Sequence, residues 1–458
     1  MAYQDILLKL EPKDIVLVKP SKPTPSPTLS LSTLDNKDFN NNLCQTVHVY
    51  QSSTTNDSPR LFKQALSHAL VYYYPYAGRI MKHVNDEKFR VVFSANSEEF
   101  GVPFLEANAS CTLSSLNYLD NTDTEFAKDL VFDPQDKSFP LVFMVTKFRC
   151  GGFTIGMGVS HVICDGFGAS QLFKAIIELA NGKSEPSLKP VWEREILVGP
   201  IVTKQKASQC FMNKEPTSFS PLLLKPNTVV KQYCFKIEKK VIEKLKMRLI
   251  NESQERFESV TTFESLGAYV WRARARALKL DNKGKTVLTM LVSMRRNMED
   301  ICLPEGYYGN STVDAKVVLK ASELKEKPLH EIVKLMKKMK NDAFTTDFVK
   351  NAIKTSLERN EEEEDYSIGL ASGEVMVLTM WKHLGFQESI NFGGNEGVDM
   401  VIAPRNLFAS ADTCIFTSPN KLDDHDQAMK GGVRIFISLP VDAFEEFKKE
   451  IEALRFLN

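Results

Sequence analysis

Apolar positions along the chain follow two rhythms, one of period near 3.6 and one of short continuous runs. In "SPRLFKQALSHALVYYYPYAGRI" the apolar side carries Leu61, Leu66 and Leu70, and Ser58 with Pro59 makes a helix start. The spacing predicts an amphipathic helix stopped by Pro75 and Gly78. "KFRVVF" reads as a strand. "FPLVFMVTKFRCGGFTIGMGVSHVICDG" holds two apolar runs joined at Cys150–Gly151–Gly152, an expected antiparallel hairpin. Behind it, "GASQLFKAIIELANG" places Leu172, Ile176 and Leu179 at helical spacing. Further on, "QYCFKI", "KTVLTMLVSM" and "VRIFISLP" read as strands. Helices are expected from Lys239, over "TTFESLGAYVWRARARAL", over "LHEIVKLMKKMKNDA" and over "DAFEEFKKEIEALRFL". Thr261 or Thr262 can cap the second of these helices, and Phe263, Leu266, Val270 and Trp271 cover one of its faces.

Two stretches break the pattern. "KPSKPTPSPTLSLSTLD" carries four prolines and should be an extended arm. Between residues 181 and 230 the chain is rich in Pro, Lys and Ser with little periodicity, which suggests a crossover between two halves. We therefore expect an N-terminal domain at 1–195, a linker at 196–225 and a C-terminal domain at 226–458. Both halves mix strands and helices, so the expected class is α/β, with mixed sheets flanked by helices.

Length and charge narrow the function. A chain of 458 residues exceeds one ordinary core. Lysine plus arginine and aspartate plus glutamate both number 58, and a net charge of zero argues against a nucleic-acid partner. No apolar run is long enough to cross a membrane, and "MAYQDILLKLEPKDIVLVKP" is too interrupted for a signal peptide. The eight cysteines form no CxxC pair and the histidines do not cluster, so reduced thiols, a cytoplasmic setting and no metal site are expected. Arg272, Arg274 and Arg276 read as a solvated face, and "RNEEEEDY" as an exposed loop.

The stretch "VSHVICDGFG" carries the candidate chemistry. His161 and Asp165 are four residues apart, which on a helix also suits a plain salt bridge or an N-terminal cap. However, His161 follows an apolar strand, where a rigid element can carry an active group, and Gly166 and Gly168 permit a close approach. With no nucleophile or metal cluster beside it, the histidine suits a general base acting on a hydroxyl or an amine.

"HVICDG" resembles the HxxxDG motif of the BAHD family of plant acyl-CoA-dependent acyltransferases, and the resemblance covers nearly the whole chain. "VYYYPYAGRI", "GVPFLEA", "TTFESLGAYVWRARA" and "LPEGYYGNS" are similar to further segments of that family. The last is most like the branch of benzoyl and acetyl alcohol acyltransferases and taxane-modifying enzymes. The resemblance implies a two-domain chloramphenicol-acetyltransferase-like fold with an active-site tunnel between the domains. It implies a monomer in plant secondary metabolism, alkaloid or terpenoid biosynthesis included, that moves a benzoyl, acetyl or short branched acyl group from CoA to an alcohol. Acyl-CoA is then a co-substrate, with no permanently bound cofactor.

By the same resemblance His161 is the base, and Asp165 pairs with an arginine, Arg296 or its neighbour Arg295. Thr379 donates to the oxyanion, Trp381 lines the acceptor pocket, and Ser259 and Thr261 lie near CoA. Where the family carries DFGWG, this chain has "NFGGN", with Asn391 and Gly393 expected as structural support. That departure keeps an impaired binding relative in view as an alternative, beside an N-acyltransferase.

Overall fold

The structure is a computed structural model. It describes residues 8–25, 28–36, 43–51, 57–94, 98–199, 228–253, 259–295, 301–357, 374–386, 391–404 and 412–456. In chain order the strands are β1 (Leu10–Pro12), β2 (Val16–Val18), β3 (Thr28–Ser30), β4 (Leu43–Gln51), β5 (Arg79–Lys82), β6 (Phe89–Val92), β7 (Val102–Ala109) and β8 (Leu141–Lys147). They continue with β9 (Phe153–Ser160), β10 (Val230–Ile237), β11 (Lys285–Ser293), β12 (Thr312–Lys320), β13 (Val375–Met380), β14 (Glu396–Ile402), β15 (Asp412–Thr417) and β16 (Val433–Pro440). A seven-stranded sheet runs β1-β7-β8-β9-β4-β14, with β2 also on β7, and a six-stranded sheet runs β10-β16-β15-β13-β11-β12. A small sheet, β3-β6-β5, stands apart. Both large sheets are mixed: β7 with β8, β11 with β13 and β13 with β15 are parallel.

The expected hairpin is β8–β9, turned at Gly151 with φ +82°. Helices α1 (Ser58–Ala69) and α2 (Gly166–Ala180) pack with the first sheet, and Leu66, Leu172 and Ile176 are fully buried there. The second sheet packs α3 (Lys239–Glu252), α4 (Thr262–Ala277), α5 (Ala321–Glu326), α6 (Leu329–Asp342), α7 (Thr346–Leu357) and α8 (Phe444–Ala453). Among the described residues no helix is long and apolar enough to cross a membrane.

Three expectations change. Helix α1 ends at Ala69, and Tyr74–Ala77 forms a separate 3₁₀ turn. The β-branched and aromatic run Val71–Tyr74 favours leaving the helix, and Pro75 has no N–H with which to continue the α-helical ladder. Of the three arginines of α4 expected on a solvated face, only Arg276 is exposed. Arg274 is fully buried, Arg272 is half-buried and donates to the Leu324 carbonyl at 2.9 Å, and Arg276 pairs with Glu450 at 3.2 Å. Residues two apart on a helix are about 200° apart around its axis, so on a helix packed on both sides one of the three must face inward. Burial pushes the Arg274 guanidinium down to about 9.

The division at 196–225 does not separate the sheets, because β14, from the second half, pairs with β4 at the edge of the first. Its apolar residues Val398, Met400 and Ile402 complete the first core. Most of the expected linker lies outside the described residues, as do "RNEEEEDY" and Arg296.

Candidate active site

Strand β9 is buried from end to end and delivers His161 one residue past its last position. The chain then turns through Val162–Cys164, and Asp165 caps α2 by accepting from the backbone N–H groups of Phe167 and Gly168, both at 3.1 Å. Gly168 is required here because a Cβ would sit 1.9 Å from the Tyr308 carbonyl oxygen. That contact seats the start of α2 against residues 306–310.

The two members of the motif face different partners. Asp165 is 5% exposed and takes a bidentate pair from Arg295, at 2.7 and 2.9 Å. It also accepts from the Ser311 N–H at 3.1 Å and its hydroxyl at 3.2 Å. Burial alone would raise this carboxyl, but the Arg295 charge and the hydrogen bonds outweigh it and hold Asp165 below its ordinary value. Its partner is thus Arg295, one position before the favoured Arg296.

His161 is half-buried, and its Nδ1 lies 3.0 Å from Oδ1 of Asn310. The Asn310 Nδ2 donates to the His161 carbonyl at 2.6 Å and to Asp35 Oδ1 at 2.7 Å. Both amide protons are thereby used on acceptors, so the Asn310 oxygen faces Nδ1 and the imidazole proton sits on Nδ1. The lone pair is left on Nε2, the form that can act as a base.

Trp381 reaches the start of α2. Trp381 continues past β13, its N–H donating to the Phe416 carbonyl at 2.7 Å, and its ring comes within 3.9 Å of where a Gly166 Cβ would be. Thr379, two positions back, shares that face of the strand. Leu378 points the other way, onto α4, where a Cβ on Gly267 would lie 2.5 Å from it. From Gly267 the helix runs to Trp271, whose Nε1 bonds Thr286 at the opposite end of the same strands. The N-terminus of α4 therefore lies at the His161 end of the second sheet. Thr261 caps it in a reciprocal box with Glu264, and the Ser259 carbonyl accepts from Lys337 Nζ at 3.1 Å. Capping accounts for Thr261, and Ser259 is exposed next to it.

Asn391 and Gly393 are elsewhere. "NFGGN" is a tight turn with Phe392 bridged to Asn395 and φ of +55° and +83° at Gly393 and Gly394. Asn181, at the C-terminal end of α2, grips it with both ends of its amide: Nδ2 donates to the Asn391 carbonyl at 2.8 Å, and Oδ1 accepts from the Gly393 N–H at 2.8 Å. With 15 residues, α2 is about 22 Å long, so this turn stands a helix length from Asp165.

The sequence reading passed over Asn310 and Asp35 as site residues. Asn310 closes the "GYYGN" segment, a signal that was visible. Asp35 ends the proline-rich arm, 126 positions before His161, with nothing local to mark it.

The chain is similar to known proteins along nearly its whole length. A family model described as the transferase family matches residues 8–454. The chain is 38% identical to spermidine coumaroyl-CoA acyltransferase of Arabidopsis thaliana, over 98% of this chain and 96% of that protein. It is 30% identical to taxadien-5-alpha-ol O-acetyltransferase of Taxus chinensis, over 99% and 98%. Among solved structures, F. graminearum TRI101 complexed with coenzyme A and deoxynivalenol aligns with a TM-score of 0.72 at 12% identity, over 93% of this chain and 97% of that one. That likeness speaks for the fold.

Proposed function

The chain belongs to the BAHD family of acyl-CoA-dependent acyltransferases, and on that premise we propose that it uses His161 to acylate an aliphatic polyamine. The observation that carries the base assignment is the His161–Asn310 contact at 3.0 Å, which leaves the lone pair on Nε2. In this reading Nε2 takes the proton from the acceptor as its nitrogen attacks the thioester carbonyl. The tetrahedral adduct collapses, the C–S bond breaks, and the imidazolium returns the proton to the departing CoA sulfur. Both substrates are held together, so proximity supplies much of the rate and no acyl-enzyme is needed. Thr379, facing the same side as Trp381, is proposed as the oxyanion donor. The N-terminus of α4, with Ser259, Thr261 and the nearby Lys337, is proposed for the CoA phosphates.

The 38% identity to a spermidine acyltransferase moves the expected acceptor from a hydroxyl to an amine. A hydroxyl acceptor is the second reading, favoured by the 30% identity to an O-acetyltransferase over nearly the full length. The position of "NFGGN" at the far end of α2 favours an active enzyme over an impaired binding relative.

The test follows CoA release with coumaroyl-, sinapoyl-, benzoyl- and acetyl-CoA against spermidine and an alcohol panel, with product masses. An aliphatic amine is mostly protonated near pH 7, since its pKa resembles the roughly 10.4 of lysine. Turnover of spermidine at low concentration should therefore keep rising with pH above the imidazole titration, whereas an alcohol reaches a plateau. Ester products alone, or no CoA release with any pair, would defeat the amine reading.

A further inference from the structure

Asp35 is fully buried beside the base, and no step above uses it. Its Oδ1 accepts from the backbone N–H of Asn310 at 2.9 Å and from the amide Nδ2 at 2.7 Å. Its Oδ2 accepts from the Ser32 N–H at 3.0 Å and hydroxyl at 2.8 Å, and lies 3.4 Å from Arg194 Nε. Arg194, itself 2% exposed, donates Nη2 to the Ile163 carbonyl at 2.8 Å, inside the turn between His161 and Asp165. The proline-rich arm, the turn and the "GYYGN" segment thus meet at one carboxylate.

We propose that Asp35 is a positioning residue for acyl transfer: by orienting the Asn310 amide it keeps the His161 proton on Nδ1 and the lone pair on Nε2. This rests on the reading of His161 as the base.

An amide side chain has two nearly isosteric orientations. Exchanging O and N at Asn310 would set its oxygen against two acceptors, the Asp35 carboxylate and the His161 carbonyl. It would also offer an N–H to His161 Nδ1, which could then hold only a lone pair, and the proton would move to Nε2. A histidine so arranged cannot accept a proton from the acceptor. Hydrogen bonds to an ionised acceptor are roughly twice as strong as neutral ones, so the carboxylate dominates the choice. Arg194 offsets the charge of Asp35, and the effect reaches His161 through the amide's orientation. The Asp165–Arg295 pair holds the other side of the turn.

The experiment is ¹⁵N NMR of the full-length protein labelled at histidine, above the imidazole titration, with His161→Ala assigning the signal. Wild-type protein should show a protonated Nδ1 and a pyridine-like Nε2 at His161. A protonated Nε2 there overturns the proposal without any Asp35 variant. Asp35→Asn should lower kcat about tenfold and Asp35→Leu about a hundredfold, within the range that a positioned base supplies. KM for acyl-CoA should stay within about twofold, and the His161 signal should shift toward the other tautomer. Unchanged kcat, or a fall in kcat without a tautomer shift, overturns the proposal. If Asp35→Leu does not fold, Asp35→Asn and the wild-type spectrum decide. Normal turnover in His161→Ala would instead remove the base reading itself, whatever the Asp35 variants do.

Discussion

His161 and Asp165 stand four residues apart and answer to different variants. Removing the base, His161→Ala, should lower kcat by about 10²- to 10⁴-fold with little change in melting temperature, read from CoA release and thermal unfolding. Asp165→Asn breaks a bidentate pair at 2.7 and 2.9 Å and leaves the Arg295 charge without its carboxylate, so melting temperature should fall together with kcat. An inactive Asp165→Asn with wild-type thermal stability would contradict this split.

A third side chain sets the acid sensitivity. His48 on β4 is fully buried, stacked on Phe173 at 3.9 Å between ring centres, and burial lowers it from 6.5 to about 3. Between those values the unfolded chain binds the proton and the folded one does not. The stability that depends on a neutral His48 is complete above about pH 6.5 and is lost as pH falls toward 3, at up to about 1.4 kcal/mol per pH unit. Asp165, also depressed, contributes in the same direction only lower, as pH falls through 3.8 and below. Urea unfolding at pH 7 and pH 5 should show the loss in the wild type and less of it in His48→Gln. Equal losses in both would reject His48 as its source.

Helix α2 is the element that ties the chemistry to the departing motif. Asp165 caps its first turn and Asn181 holds "NFGGN" at its last, so the helix acts as a strut between two turns. Asn181→Ala removes two partly exposed hydrogen bonds and should cost about 1–2 kcal/mol, while kcat stays within about twofold. A loss of kcat larger than the loss of folded protein would mean the turn acts on the active site after all. This also marks what could be read beforehand. The hairpin, α2 and α4 were legible because their apolar periodicity is strong and their turn and cap residues agree with it. The end of α1 was not, since leucine spacing continues to Leu70 while aromatic crowding and Pro75 act only locally. At the site, the spacing of His161 and Asp165 left a salt bridge, a cap and a base open, and the resemblance of "HVICDG" to the HxxxDG motif marked the pair. The Asp35–Asn310 link was not marked, because it joins residues 275 positions apart through an amide whose orientation only the folded chain determines. Arg274 misled for a related reason: a charge pattern shows periodicity but not what packs on either side.

At the scale of the molecule, the site belongs to neither half. His161 and Asp165 come from the first sheet's side, while Arg295, Asn310 and Ser311 come from the segments flanking β11 and β12 of the second. Holding these groups within hydrogen-bond reach requires the two sheets to keep their relative position. The seam that does this is β14, which leaves the second half to pair with β4, and its Asp399 forms a fully buried bidentate pair with Arg434 of β16. Lys236 of β10 lies beside it, bound to Asp120 at 2.6 Å and Asp423 at 2.7 Å, and Asp120 is also 3.6 Å from Arg434. Breaking a buried pair from one side strands the other charge, so Arg434→Met should cost about 3–5 kcal/mol. Replacing both partners, Arg434→Met with Asp399→Leu, should recover most of that, because Lys236 still neutralises Asp120. If the seam positions the site, kcat measured on the folded fraction should drop in the single variant and return in the double one. Chemical unfolding and CoA release on the same samples separate the cases: recovery of stability without recovery of kcat would mean that the ion pair itself, and not the register of the sheets, supports catalysis.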